Sequence, residues 1–175
     1  MPVQGTYLGM PLGIDELDGE NLAYFKHCAE HNYHLQACGK CKLLRYPPAT
    51  ACPWCMSPES TWVPVDAKGT VHSYTEVHHA IQPAFKAVAP YMVLLVDLDT
   101  QKGKPTVHDA LRVIGNLVLP DGKLAPREMV DRVGIGTRVR MVFADVVPGL
   151  SIPQWAIDES GTQQEKLWRY PGSPG

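Results

Sequence analysis

Four of the five cysteines fall into two C-x-x-C pairs, Cys38-Gly39-Lys40-Cys41 and Cys52-Pro53-Trp54-Cys55, with ten residues between them. A C-x-x-C turn sets both sulfurs on one side of a tight loop. Two such loops facing each other supply four thiolates to a tetrahedral ion at about 2.3 Å. Residues 42–51, with Pro47-Pro48 near the middle, suit a short hairpin-like excursion between two knuckles, the arrangement of a zinc ribbon. Four protein ligands leave no position for a catalytic water, so Cys38, Cys41, Cys52 and Cys55 read as a structural metal site. Zinc is the expected ion, and iron, which also suits tetrahedral thiolates, stays the alternative. A thioredoxin-like redox pair would need a strand-to-helix setting that the proline-rich flanks do not supply. Structural disulfides would need an oxidising compartment, and residues 1–30 show no basic start, apolar stretch and cleavage site of a secretory leader.

Spacing identifies no catalytic residue. There is no G-x-S-x-G elbow, no phosphate-cradling G-x-x-x-x-G-K-[ST] and no carboxylate pair that spacing alone assigns. Asp97 and Asp99 share a strand face and read as a strand end meeting solvent. Cys28 has only His27 beside it to acidify it, and reads as a small buried apolar residue. His27, His31 and His34 are ligands by type, but with four cysteines closing the shell they read as surface or helix-end residues. The second candidate site is His78-His79, two histidines at a strand end before an I-Q-P-A-F stretch, where they could line a shared channel.

These residues need elements to hold them. The chain has 175 residues, 45% of them hydrophobic and 19% charged, enough for one compact core with appendages. No apolar run approaches the roughly 20 residues that cross a bilayer, so a soluble, cytoplasmic protein is expected. Sixteen basic against eighteen acidic residues give a net charge of −2, without the basic footprint of a nucleic-acid binder.

Residues 1–16, rich in glycine and proline, read as an irregular arm. Asp18 can cap a helix from about Gly19 to His31, with Leu22, Phe25, Cys28 and Ala29 on one face. After the cysteines the pattern turns to strands: 69–79, with Val71, Ser73, Thr75 and Val77 on one face; 91–99, apolar and central; and 111–119, with Gly115 as a bulge or bend. A short helix at 126–133 and strands at 134–147 and 151–158 follow. The fold class is therefore mainly β: an N-terminal helix, a rubredoxin-like zinc ribbon and a five-stranded barrel of the OB type. The units are arm and helix 1–36, ribbon 37–63, barrel 64–158 and tail 159–175. The tail's Leu167-Trp168-Arg169-Tyr170 reads as a docking segment or as disorder. The 79–90 connection carries Ile81, Phe85 and Val88 where polar residues are usual, which makes Phe85 a candidate partner anchor beside His78 and His79.

The order L-Q-A-C-G-K-C, P-P, C-P-W-C, W-V-P-V, K-G-T-V-H-S-Y-T and P-Y-M-V-L-L-V-D-L resembles a family of acyl-CoA-associated proteins that join a rubredoxin-like zinc ribbon to an OB-fold. The resemblance runs from about Leu22 to Ile157. It departs at Cys55, which Met56 follows where glycine is common. It implies an accessory subunit assembled with a thiolase-fold protein, such as a thiolase, an acyltransferase or a steroid side-chain aldolase. The reactive groups would lie on the partner, so this chain alone would not be an enzyme, and a CoA ester would be the substrate of the hetero-oligomer. The alternative is a single-stranded nucleic-acid-binding OB module, against which the net charge and the 8% aromatic content count.

Overall fold

The computed structural model describes residues 3–171. The chain begins with a hairpin, β1 (Val3–Tyr7) against β2 (Met10–Ile14). Its turn places Leu8 and Gly9 at φ 49° and 81°, the two left-handed positions of a tight turn whose twist matches the strands. The irregular arm expected here is thus a β-hairpin. Gly5 is a contact rather than a break: a Cβ on it would lie 2.7 Å from Val146 Cγ1, so the bare backbone lets the hairpin lie flat against the barrel.

Helix α1 (Gly19–Ala29) starts where expected, with the Asp18 carboxylate accepting from the Asn21 amide at 3.2 Å. Its most buried residues are Tyr24 and Cys28, one turn apart, with Phe25 packed beside them. A tyrosine can face inward because its hydroxyl meets that of Tyr33 at 3.3 Å. Strand β3 (His34–Cys38) then forms the centre of a three-stranded antiparallel sheet, flanked by β4 (Leu44–Arg45) and β5 (Ser60–Pro64).

The barrel comprises β6 (Lys68–Val77), a short helix α2 (Pro83–Lys86), β7 (Tyr91–Leu98), β8 (Arg112–Asn116), helix α3 (Arg127–Val130), β9 (Arg138–Val147) and β10 (Leu150–Ile157). The strands pair in the order β10-β9-β6-β7-β8, and a parallel bridge from Leu117 to Trp155 closes the ring. That is the five-stranded OB arrangement, with α3 between the third and fourth barrel strands. β7 lies between β6 and β8, as its apolar run predicts. Met92, Leu94, Val96 and Leu98 point inward at 1% exposure or less, each side chain contributing about 1.5–3 kcal/mol by burial.

Two strand expectations change. The β6 register shifts between Val71 and Ser73, and the extra residue reverses the parity beyond it. Tyr74 packs against the core and the Glu76 side chain is 8% exposed, whereas Ser73 and Thr75 face out. Gly115 is not a bulge, since β8 pairs with β7 without a shift. A Cβ there would sit 2.9 Å from Trp155 Cδ1, so the glycine makes room for the indole at the closing seam.

The tail folds back on the barrel. Trp168 bridges Ile135, and the Tyr170 amide donates to the Tyr74 hydroxyl at 2.9 Å, while the Trp168 and Tyr170 side chains stay exposed. Among the described residues, no helix is long and apolar enough to cross a membrane.

Candidate functional site

The two C-x-x-C turns repeat one backbone pattern. The Cys38 amide donates to the Leu43 carbonyl and the Lys42 amide to the Cys38 carbonyl; likewise the Cys52 amide donates to Ser57 and the Met56 amide to Cys52. Both residues that follow a second cysteine are left-handed, Lys42 at φ 65° and Met56 at φ 60°. The position where the related pattern favours glycine therefore does require positive φ, and methionine adopts it at some conformational cost. Residue 38 comes from the end of β3, next to Ser60 of β5, so the ribbon sheet carries the first knuckle directly.

The four sulfurs lie within 4.8 Å of one another. Cys38 and Cys55 Sγ are 3.5 Å apart and Cys41 and Cys52 Sγ 3.6 Å. A disulfide would need about 2.05 Å; bonds of about 2.3 Å to a central ion give tetrahedral edges of about 3.8 Å. The amides of Cys41 and Lys40 both point at Cys38 Sγ at 3.4 Å and pull its thiol down to about 6, so the first negative charge of the cluster settles there. Against the Leu43 amide, burial and the neighbouring sulfurs push the Cys41 thiol up to about 12. Preformed geometry and a stabilised thiolate are what a tetrathiolate metal site requires, and these four cysteines can hold an ion.

The remaining cysteine differs. Cys28 is fully buried, and burial pushes its thiol up to about 12, which leaves it inert. The histidines stand apart from the sulfur cluster, which among the described residues contains cysteines only. His27 stacks on His34 with ring centres 4.0 Å apart, and His31 Nε2 bonds Asp145 at 2.7 Å.

His78 and His79 are exposed at the end of β6, and His78 Nε2 lies 3.4 Å from Glu76. Phe85 sits in α2, half-buried, its ring 5.7 Å from that of Tyr91. The 79–90 connection therefore contains a helical turn, with Ile81 exposed and Phe85 leaning on the first residue of β7. Asp97 and Asp99 are not a bare strand end. Asp97 pairs with Arg112 at 2.9 Å and His72 at 3.1 Å, and Asp99 with Arg138 at 2.7 Å.

Two polar clusters escaped the sequence reading. Glu76 receives Arg127 at 3.0 Å and Arg169 at 2.8 Å, which ties β6, α3 and the tail together. Arg45 is buried in the ribbon with Gln36 and Ser60. Their partners lie up to 93 residues apart, and no local spacing signals them.

Residues 62–144 match the family model described as the C-terminal OB-fold domain of ChsH2. A chain of the solved Ltp2-ChsH2(DUF35) aldolase is 30% identical, with the similarity covering 82% of this chain and 98% of that one at a TM-score of 0.63. This chain belongs to the DUF35 family of acyl-CoA-associated OB-fold proteins. Another relative, the probable enoyl-CoA hydratase alpha subunit of Thermomonospora curvata, is 33% identical over 139 residues, 78% of this chain. The DUF35 chain described here spans 37% of that relative's length. A DUF35 structure of unknown function from Sulfolobus solfataricus is 13% identical, covering 80% of this chain and 86% of that one, with a TM-score of 0.49.

Proposed function

We propose that this chain is a non-catalytic accessory subunit of a thiolase-like acyl-CoA enzyme complex that makes or breaks C–C bonds. The observation that carries this reading is the 30% identity along 98% of a chain of the Ltp2-ChsH2(DUF35) aldolase. The hydratase relative is consistent with it, because hydration of an enoyl-CoA yields a 3-hydroxyacyl thioester, the kind of compound a retro-aldol step cleaves. The nucleophile or acid/base pair belongs to a thiolase-fold partner in this reading.

The work of this chain is positional. Residues 37–63 form the ribbon, with Cys38, Cys41, Cys52 and Cys55 holding zinc in preference to iron. A closed tetrathiolate ion supplies rigidity rather than a reactive position. Residues 64–158 form the barrel that walls the acyl-CoA channel, with His78 and His79 facing it. Phe85 anchors the partner, while residues 1–36 and 159–175 complete the docking surface.

Purification of the tagged chain from its native host should yield a stoichiometric thiolase-fold protein, and acyl-CoA turnover should require both chains. Phe85→Ala should weaken association about 30-fold, which corresponds to about 2 kcal/mol for an aromatic anchor. Turnover by the purified chain alone would refute the reading, as would a partner-free chain that shifts single-stranded DNA in a salt-dependent way. A strongly lowered melting temperature with intact association would instead assign Phe85 to the chain's own core.

A further inference from the structure

Among the described residues Arg45 is the one buried arginine, at 2% exposure. Its Nε donates to Gln36 Oε1 at 2.9 Å and its Nη2 to Ser60 Oγ at 3.0 Å, both neutral acceptors. Its Nη1 is buried without any hydrogen-bond partner. Arg112, Arg127, Arg132, Arg138 and Arg169 each pair with a carboxylate, whereas Arg45 has no ion pair among the described residues. A guanidinium cannot shed its proton. An uncompensated buried charge is costly by several kcal/mol, so the fold must supply negative charge nearby.

The register places Cys38 on the same face of the ribbon sheet as Arg45. Gln36 and Cys38 are two residues apart on β3 and therefore share a face of the ribbon sheet. Arg45 lies directly across from Gln36 on one side, and Ser60 directly across from Cys38 on the other. Directly opposed residues share a face, with Cβ atoms about 4.5–5.5 Å apart. By reaching the Ser60 hydroxyl, the guanidinium crosses this face to the residue beside Cys38. The same Gln36 oxygen accepts from the Ala49 amide at 2.9 Å, which fastens the 46–49 stretch beside it.

We propose that Arg45 is the counter-charge of the metal–tetrathiolate centre. Four thiolates around a divalent ion leave two negative charges in excess, and a buried guanidinium on the same sheet face offsets part of them. Arg45 is a positioning residue: it touches no ligand ion, and it acts through its charge, by stabilising the anionic centre. The centre in turn supplies the charge that lets an arginine sit in the ribbon interior. This inference rests on the metal reading of the four cysteines.

The test compares wild type, Arg45→Met and Arg45→Lys, each assayed for zinc content, zinc affinity by chelator competition, and melting temperature with and without zinc. Zinc affinity of Arg45→Met should fall about 10- to 100-fold, the usual effect of losing a group that supports metal ligands. The rise in melting temperature on adding zinc should shrink, since the metal-free Arg45→Met protein no longer buries an unpaired cation. Arg45→Lys, which keeps the charge but not the fork, should stay within about threefold of wild type. Equal affinity in Arg45→Met, with the same loss of melting temperature in both forms, would overturn the proposal and leave Arg45 as packing. So would an equal loss in both variants, which would assign the effect to fork geometry. If Arg45→Met does not fold, a tenfold loss in Arg45→Lys alone is sufficient to overturn it. Absence of zinc and iron from the wild type would instead fail the underlying metal reading.

Discussion

Arg169 is the residue that converts the tail from an appendage into part of the barrel, and its removal tests the Glu76 network. Its Nη2 lies 2.8 Å from Glu76 Oε1, and its Nη1 donates to the carbonyls of Val130 and Val133 where α3 ends. The guanidinium carbon stands 5.7 Å from the centre of the Tyr74 ring. Arg169→Ala leaves Glu76 its bond to Arg127, so the carboxylate is not stranded, but it removes one charge-assisted bond and the donors to two helix-end carbonyls. Hydrogen bonds to charged groups contribute about 1.5–3 kcal/mol. The retained Arg127 pair and partial exposure of Arg169 place the net loss at about 2–3 kcal/mol. For a chain of this length each kcal/mol corresponds to about 2–4 °C, so the melting temperature should fall by roughly 4–12 °C. Circular dichroism melts of wild type, Arg169→Ala, Glu76→Gln and the double variant measure both the loss and the coupling. A fall below about 1 °C, or additive single effects, would show that the tail contributes nothing through this pair.

Cys38→Ser should reduce bound metal from one ion per chain to a small residue by elemental analysis and unfold the ribbon, since structural zinc contributes on the order of 10 kcal/mol to small metal-bound folds; retention of both metal and fold would contradict the site. Acid should loosen the tie that Arg138 of β9 makes across β6 to Asp99, just past the end of β7. The bond from Arg138 to Asp99 holds that carboxyl below its usual range. A group depressed in the folded state stabilises above its unfolded pKa, near 4, and loses that contribution as the pH falls through the folded value. Because Asp99 is partly exposed, the contribution is at most about 1 kcal/mol. Asp99→Asn should therefore flatten the stability profile below pH 4 and leave its shape near neutrality unchanged.

The four-cysteine cluster was legible because a C-x-x-C turn encodes its geometry locally. The same holds for α1, whose Asp18 cap lies three residues from the amide it bonds. The barrel followed from strand count and the position of its helix. What could not be read was set by distant contacts. The parity of β6 beyond Val71 depends on a bulge formed against β7, and without it Glu76 looks solvent-facing. The hairpin at residues 3–14 was hidden because Gly5 resembles a breaker until Val146 is placed against it. Arg169 sits in a stretch with no periodicity, and Arg45 beside two prolines; only three-dimensional placement shows what either side chain offsets.

The way the ring closes also bears on how it assembles and opens. The hairpins β6–β7 and β9–β10 each have eight paired positions, whereas β6 meets β9 at only three, across some seventy residues of chain. Contacts that close long loops form late and cost the most chain entropy, so each hairpin can gather before the two halves meet. The Val71 and Met141 amides, bonded to the Thr137 and Ala67 carbonyls, border that junction and should exchange with deuterium earlier than those of β7. The short β6–β9 junction is thus where the topology predicts the barrel to open first, and a binding partner that spans this line would slow its opening without touching its core.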